Sequence, residues 1–278
     1  MTTPLPSLPA ITRDPSRPGL GLIGAGAFGS FCLPHLRPFF RIHLADPRPD
    51  LPEIAARHGV RAASIAEAAA QPFVLLAVPV AQVAAAGAAI APHLRPGALV
   101  VDTCSLKLEP LRLLREILPN FVDLAGTHPL FGPNSGRDGI AGLRVTVCPG
   151  RGRRHRLVAR FLERALALTV IRSSAEAHDR EMAQVQGLTH LVARLVDSLG
   201  LPRPSQTTPS FEQLMRAVET VRDDSEALFR AITQENPFVP PLTARFFATA
   251  REMQARMLPA PSLDRLPGPA GEAVGDAV

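Results

Sequence analysis

The chain has 278 residues, of which 46% are hydrophobic and 20% charged, with a formal net charge of +5. This length is enough for one large domain or two moderate ones with a buried core. No apolar stretch is long enough to span a membrane, which takes about 18 residues or more. The three cysteines, Cys32, Cys104 and Cys148, show neither metal-ligand spacing nor a framework of pairs. We therefore expect no metal, and a reducing, cytoplasmic environment.

Two terminal segments and one basic run differ in composition from the rest of the chain. The proline-rich residues 1–18 lack a hydrophobic signal core and predict a flexible tail, and residues 259–278 predict a second one. The basic run Arg151–Arg156 lies between a strand-like stretch and a helix-like stretch. A solvated loop is therefore favoured over a nucleic-acid patch, and we expect neither a nucleic-acid nor a membrane partner.

Short apolar strands alternate with helix-like stretches through the first part of the chain. Strands are predicted at Leu20–Ile23, Phe39–Leu44, Phe73–Val78, Ala98–Val101, Phe121–Ala125 and Arg144–Pro149. Helices are predicted up to about Leu36 and at Ile54–Gly59, Ile65–Ala70, Val80–Ala91, Leu111–Leu118 and Leu157–Leu166. This alternation predicts a doubly wound α/β domain over residues 19–172.

The pattern changes in the second part of the chain. Ser173–Leu199, Phe211–Ile232 and Pro241–Met257 have helical patterns, and no strand is predicted among them. Ser174 is followed by acidic Glu176, as is typical of a helix start. Residues 173–258 are therefore predicted to form an all-helical domain.

The loop Gly24–Gly29 has the spacing G-x-G-x-x-G, follows a strand and opens a helix, and Asp46 ends the next strand. This context predicts a dinucleotide site, in which the glycines permit a tight turn, close approach of the pyrophosphate and close helix packing. Asp46 would bond the ribose hydroxyls and repel a 2′-phosphate, which favours NAD over NADP, although Arg48 would partly offset that repulsion. The predicted cofactor-binding residues are Gly24, Ala25, Gly26, Phe28, Gly29, Asp46, Val78 and Pro79.

Two further residues follow strand ends on the same predicted sheet. Lys107 is the only lysine in the chain, in which all other cationic side chains of this kind are arginine. Because the chain uses arginine almost exclusively, Lys107 either remains a lysine by chance or is required because its ammonium differs from a guanidinium. His128 follows the strand Phe121–Ala125 in a predicted loop rich in proline and glycine, which suits acid–base chemistry beside a cofactor.

Three blocks of the sequence resemble signature blocks of the prephenate and arogenate dehydrogenases. They are Asp102–Lys107 (DTCSLK), Thr127–Gly136 (THPLFGPNSG) and His178–His190 (HDREMAQVQGLTH), and the likeness extends from about Leu20 to Phe238. The resemblance implies a Rossmann-like domain followed by a helical dimerisation domain. It also implies a homodimer that oxidatively decarboxylates a cyclohexadienol in tyrosine biosynthesis, with the substrate between the domains.

The resemblance also implies roles for individual residues. His128 matches the histidine that accepts a proton from the substituent on ring C4, and Ser105 matches the serine that orients it. His190 and Lys107 match residues that bind substrate or support the site. His178 matches a histidine of uncertain role, for which a structural position at a helix start is favoured.

One feature departs from the family pattern. The family's carboxylate-binding arginine falls at Glu219 or Thr220 in our register, so Arg216 and Arg222 are the candidates for this contact. This leaves three substrates open, which are prephenate, arogenate and 4-amino-4-deoxyprephenate. A β-hydroxyacid dehydrogenase and a non-enzymatic nucleotide-sensing protein are the more distant alternatives.

Overall fold

The structure is a computed structural model that describes residues 16–202, 204–222 and 224–257. It divides into two compact units, Met1–His178 and Asp179–Val278, which we call unit 1 and unit 2. The division lies a little beyond residue 172, inside the helix Ala175–Met182. The predicted tails fall almost wholly outside the described residues.

Unit 1 is built on one eight-stranded sheet with the strand order β3-β2-β1-β4-β5-β6-β7-β8. Its strands are β1 Gly19–Ile23, β2 Arg41–Ala45, β3 Arg61–Ala62, β4 Phe73–Leu76, β5 Leu99–Asp102, β6 Asp123–Pro129, β7 Arg144–Arg151 and β8 Thr169–Arg172. Neighbouring strands are parallel except β6 and β7, which are antiparallel. The predicted doubly wound α/β fold is confirmed, and the strand order reverses between β1 and β4, where such sheets bind ligands.

Helices connect the parallel strands of unit 1. They are α1 Ala27–Leu36, α2 Leu51–His58, α3 Ile65–Ala69, α4 Val83–Ile90, α5 Leu108–Ile117 and α6 His155–Arg164, and α7 Ala175–Met182 begins at the end of the unit. Leu22, Val74, Val100 and Leu124, on adjacent strands, are completely buried. Helices that cover both faces of a parallel sheet bury its central strands in this way.

Strand β6 extends further than the sequence predicts. It continues through His128 to Pro129, where a loop was expected, because β7 pairs with it antiparallel and His128 lies opposite Thr146. The prediction that His128 lies in a loop is therefore wrong. The short strands β3 and β8 were also missed, since two to four residues carry little periodic signal.

Unit 2 contains helices and no strand among its described residues, as predicted. After the end of α7 it contains α8 Leu188–Ser198, α9 Pro209–Arg222, α10 Glu226–Arg230 and α11 Val239–Met257, with π-helical turns at Ala183–Gly187 and Ala231–Glu235. The predicted continuous helix Phe211–Ile232 is instead divided, because the Ser225 side chain accepts a hydrogen bond from the Leu228 N–H and starts α10. Within the described ranges, no helix is long and apolar enough to cross a membrane.

Candidate active site

The glycine-rich loop between β1 and α1 has the backbone geometry that its spacing predicts. Gly24 has φ of +106°, and a Cβ there would collide with the Ala77 carbonyl oxygen. A Cβ at Gly29 would collide with the Gly24 carbonyl oxygen, so α1 packs directly on the turn. By contrast, a Cβ at Gly26 would meet nothing within 4 Å. The loop therefore leaves open space at Gly26, at the N-terminus of α1, where an anion is stabilised.

Asp46, at the end of β2, is bonded to this loop. Its carboxylate accepts hydrogen bonds from the Ala25 N–H (2.7 Å) and the Arg48 N–H (3.0 Å). The Arg48 guanidinium forms a two-point ion pair with Asp50, in which Nη2 lies 2.8 Å from Oδ2, and this hydrogen bond lowers the pKa of the Asp50 carboxyl. The guanidinium of Arg48, which lies near Asp46, therefore already has Asp50 as its ion-pair partner.

The segments after β4 and β5 lie at the same edge of the sheet. Val78 is half-buried and Pro79 is exposed directly after β4. Two side chains from the segment after β5 form hydrogen bonds with the backbone at the end of β4. Thr103 Oγ1 donates to the Leu76 carbonyl (2.8 Å), and Cys104 Sγ donates to the Val78 carbonyl (3.3 Å). Phe28 lies on α1 with its ring centroid 6.0 Å from that of Phe31.

Lys107 is completely buried beneath this edge. Its Nζ donates to the Asp102 carboxylate and to the Thr127 carbonyl oxygen (2.7 Å), so it joins the ends of β5 and β6. Asp102 also accepts from the Cys104 N–H (3.0 Å). These bonds suit a supporting role beneath the residue before His128, and a substrate contact of Lys107 stays a prediction.

His128 lies next to a second histidine. Its Nδ1 is 2.9 Å from Nε2 of His178, and the two rings meet edge to face with centroids 5.0 Å apart. Burial lowers the pKa of His128 well below its usual value of 6.5, and electrostatic interactions with His178 and Lys107 lower it further. His128 is therefore a neutral imidazole at neutral pH, which is the form a general base requires.

Ser105 is half-buried between β5 and α5. Among the described residues, its hydroxyl forms no hydrogen bond with His128, and His178 occupies the His128 Nδ1 position instead. The orienting role of Ser105 therefore stays a prediction. His178, which was assigned only a structural position at a helix start, does lie in the first turn of α7, but its ring contacts the candidate base.

In unit 2, His190 is engaged through both ring nitrogens. Nδ1 lies 2.9 Å from the Gln186 carbonyl oxygen, and Nε2 lies 3.1 Å from the Asp224 carboxylate. A carbonyl and a carboxylate both accept hydrogen bonds, so each ring nitrogen of His190 already faces an acceptor within the protein. A substrate carboxylate would have to replace Asp224 to contact His190, and this contact stays a prediction.

The two candidate arginines on α9 differ in their surroundings. Arg222 donates two hydrogen bonds to the Asp197 carboxylate (2.9 and 2.8 Å). Arg216 is exposed and lines a pocket of about 330 Å³ together with Glu212 and Glu219. Arg216 is therefore the more accessible of the two for a ligand anion.

The sequence reasoning missed the partners of its own candidates. Asp102, Asp50 and Asp224 each pair with a residue that had been singled out, and each is an ordinary acidic residue with no motif of its own. Asp102 opens one of the three signature-like blocks, which was the only available signal. The contact between His128 and His178 joins residues fifty positions apart, which no local pattern reveals.

The chain is similar to known dehydrogenases in sequence and in fold. Residues 38–143 match the family model described as "Prephenate dehydrogenase, nucleotide-binding domain". Arogenate dehydrogenase 1, chloroplastic, from Arabidopsis thaliana is 28% identical over 88% of this chain and 40% of its own length. The 4-amino-4-deoxyprephenate dehydrogenase of Streptomyces pristinaespiralis is 36% identical over 50% of this chain and 45% of its own length.

The chain is therefore similar to the prephenate and arogenate dehydrogenases, over residues 38–143 in the family model and over 88% of its length in the first of these relatives. Its matched part spans less than half the length of those two relatives. Among solved structures, the fold is similar to that of a prephenate dehydrogenase from A. aeolicus in complex with hydroxyphenyl propionate and NAD+. The TM-score is 0.69 at 21% identity, and the match covers 86% of this chain and 90% of the other. This likeness confirms the fold that the family implies.

Proposed function

We propose that the chain is an NAD-dependent dehydrogenase that oxidatively decarboxylates a prephenate-type cyclohexadienol. The observation that carries the proposal is His128, which is buried, lies on β6 and has a lowered pKa. It lies at the carboxyl edge of the sheet that also bears the glycine-rich loop. A protein that only senses a nucleotide would need no buried base at this edge, so the enzyme is favoured over the sensor.

The loop supports NAD as the cofactor. Open space at Gly26 and the N-terminus of α1 suit the pyrophosphate, and Asp46 at the end of β2 suits the ribose hydroxyls. Because Arg48 is paired with Asp50, its attraction for a 2′-phosphate is weakened, which favours NAD over NADP. The complex of the A. aeolicus relative with NAD+ is in keeping with this choice.

The chemistry follows from the residues at this edge. Bound NAD supplies the hydride acceptor. His128 accepts the proton from the substituent on ring C4 as hydride leaves that carbon, and general base catalysis of this kind contributes about 10²–10⁴-fold. The ring carboxylate then leaves as carbon dioxide and the ring becomes aromatic. Lys107 and Asp102 hold the ends of β5 and β6 together, and so fix the strand that carries the base.

Prephenate is our first choice of substrate, and two amines remain as alternatives. Arogenate carries an amine on its side chain, and 4-amino-4-deoxyprephenate carries one on the ring. The pocket on α9 supports these alternatives, because Glu212 and Glu219 flank Arg216 there and would suit a cationic group. Relatives named for arogenate and for 4-amino-4-deoxyprephenate are both among the matches.

One assay tests the activity and separates the substrates. NADH production would be measured on prephenate, arogenate and 4-amino-4-deoxyprephenate side by side, with a β-hydroxyacid as a fourth substrate and His128→Asn as the matched inactive control. We expect the wild type to turn over one of the three cyclohexadiene substrates, and we expect His128→Asn to turn over none of them. Turnover of only the β-hydroxyacid would overturn the proposal. We do not expect it, because the catalytic lysine of that class lies in the helical half, and Lys107 is in unit 1.

We also propose that the chain is a homodimer that pairs through unit 2. Large apolar side chains of this unit are at least 39% exposed: Val185, Leu195, Leu199, Leu201, Leu214, Met253 and Met257. A second copy covering them would remove this surface from water, and paired copies are the commonest closed assembly. Sedimentation at micromolar concentration tests this, and an active monomer would refute it.

A further inference from the structure

The pair formed by His128 and His178 is a second feature of the site, distinct from the base itself. The two rings are 5% and 1% exposed, and their facing nitrogens are 2.9 Å apart. At this separation, one nitrogen must carry a hydrogen and the other a lone pair, since two lone pairs or two N–H groups would repel each other. The contact therefore couples the tautomer of each ring to that of the other.

The fold holds His178 in place through neighbouring strands. β7 pairs with β6 on one side and with β8 on the other, and the Ser173 N–H after β8 bonds the Val147 carbonyl of β7 (3.2 Å). Helix α7 follows at once, because Ser174 Oγ accepts from the Ala177 N–H (3.1 Å). The His178 N–H bonds the Ser174 carbonyl (3.0 Å), which fixes its backbone one turn into the helix.

We propose that His178 is a positioning residue whose Nε2 accepts the hydrogen bond of His128 Nδ1–H. This proposal rests on His128 being the base of the proposed dehydrogenase. With its hydrogen at Nδ1, His128 keeps the lone pair on Nε2 for the substrate proton. After proton transfer, both nitrogens of His128 carry hydrogen, and the Nδ1–H bond to His178 persists. An imidazole acceptor thus fixes the tautomer without placing a negative charge in the buried site, whereas a carboxylate would add one.

Kinetics of two variants test the role of the acceptor. His178→Leu removes the acceptor, whereas His178→Gln offers an amide oxygen at a similar reach. We expect His178→Leu to lower kcat about 10-fold or more, which is part of the rate enhancement that general base catalysis by His128 provides. KM and NAD affinity should be nearly unchanged. His178→Gln should recover most of the loss. His155→Leu is the matched control, because His155 is a partly buried histidine of unit 1 at the start of α6.

The tautomer itself is measured by ¹⁵N NMR of histidine-labelled protein, with the His128 signals identified by their loss in His128→Asn. We expect the hydrogen at Nδ1 of His128 in the wild type and in His178→Gln. A hydrogen at Nε2 in the wild type overturns the proposal, as do equal losses of kcat in both His178 variants or an unchanged kcat in His178→Leu. If His178→Leu does not fold, the NMR result and His178→Gln still decide. Because NMR needs no turnover, failure of the proposed activity on every substrate remains distinguishable from failure of this inference.

Discussion

The ion pair between Lys107 and Asp102 yields a prediction whose size follows from its burial. Both side chains are 0% exposed, and Lys107 also bonds the Thr127 carbonyl. Lys107→Met removes the cation and leaves the Asp102 carboxylate buried without its partner. Breaking a buried pair in this way costs about 3–5 kcal/mol, out of a total of about 5–15 kcal/mol for a typical domain. The variant should therefore lose a large part of its stability.

Replacement by arginine should also destabilise, although the charge is kept. The stem of Lys107 packs against β6, where a Cβ added at Gly126 would lie 3.1 Å from its Cδ. A larger, planar guanidinium does not fit this enclosed space, and overpacking costs typically about 1–3 kcal/mol. In the double variant Asp102→Asn with Lys107→Met, stability should partly return, because no buried charge is left alone and the amide oxygen still accepts from Cys104.

Urea unfolding followed by circular dichroism measures these changes. The matched control is Arg112→Met on α5, which breaks ion pairs with Glu109 and Glu116 whose side chains are about half exposed. Water and salt screen such pairs, so their loss should shift the unfolding midpoint far less. A shift for Lys107→Met no larger than that for Arg112→Met would refute the reasoning. A Lys107→Arg protein as stable and active as the wild type would mean that the lone lysine reflects composition alone.

Three further predictions concern the base and the cofactor. His128→Asn should lower turnover about 10²-fold or more with little change in NAD affinity, as measured by steady-state kinetics and cofactor titration. The wild type should prefer NAD over NADP in kcat/KM, and Asp50→Ala should improve the use of NADP several-fold by releasing Arg48 to meet a 2′-phosphate. The acid limb of kcat/KM should lie below pH 6.5, because burial and electrostatic interactions with His178 and Lys107 lower the pKa of His128.

Each of these has an outcome that would contradict it. Wild-type turnover in His128→Asn would exclude His128 as the base. A clear preference of the wild type for NADP would mean that Arg48 binds a 2′-phosphate at the ribose site. An acid limb above pH 6.5 would mean that His128 is not held neutral. The same lowered pKa makes stability fall as pH drops below 6.5, since the unfolded chain then takes up a proton that folded His128 resists. If the free energy of unfolding did not change between pH 6.5 and the pH of the acid limb, this linkage would be contradicted.

The sequence by itself determined the fold class and the dinucleotide loop. Strand, glycine spacing, helix and terminal acid are local features, and a local pattern is enough to require the turn at Gly24 and the close packing at Gly29. It also drew attention to Lys107 and His128, because a sole lysine and a histidine fixed among prolines and glycines stand out in composition alone.

Only the tertiary structure decided what these residues contact. Lys107 bonds the Thr127 carbonyl because β5 and β6 are adjacent in the sheet, and His128 lies in a strand because β7 pairs with it. His178 reaches His128 because β8 places α7 beside these strands. Such contacts depend on strand order, which joins residues far apart in the chain, and hydrophobic periodicity carries no information about that order.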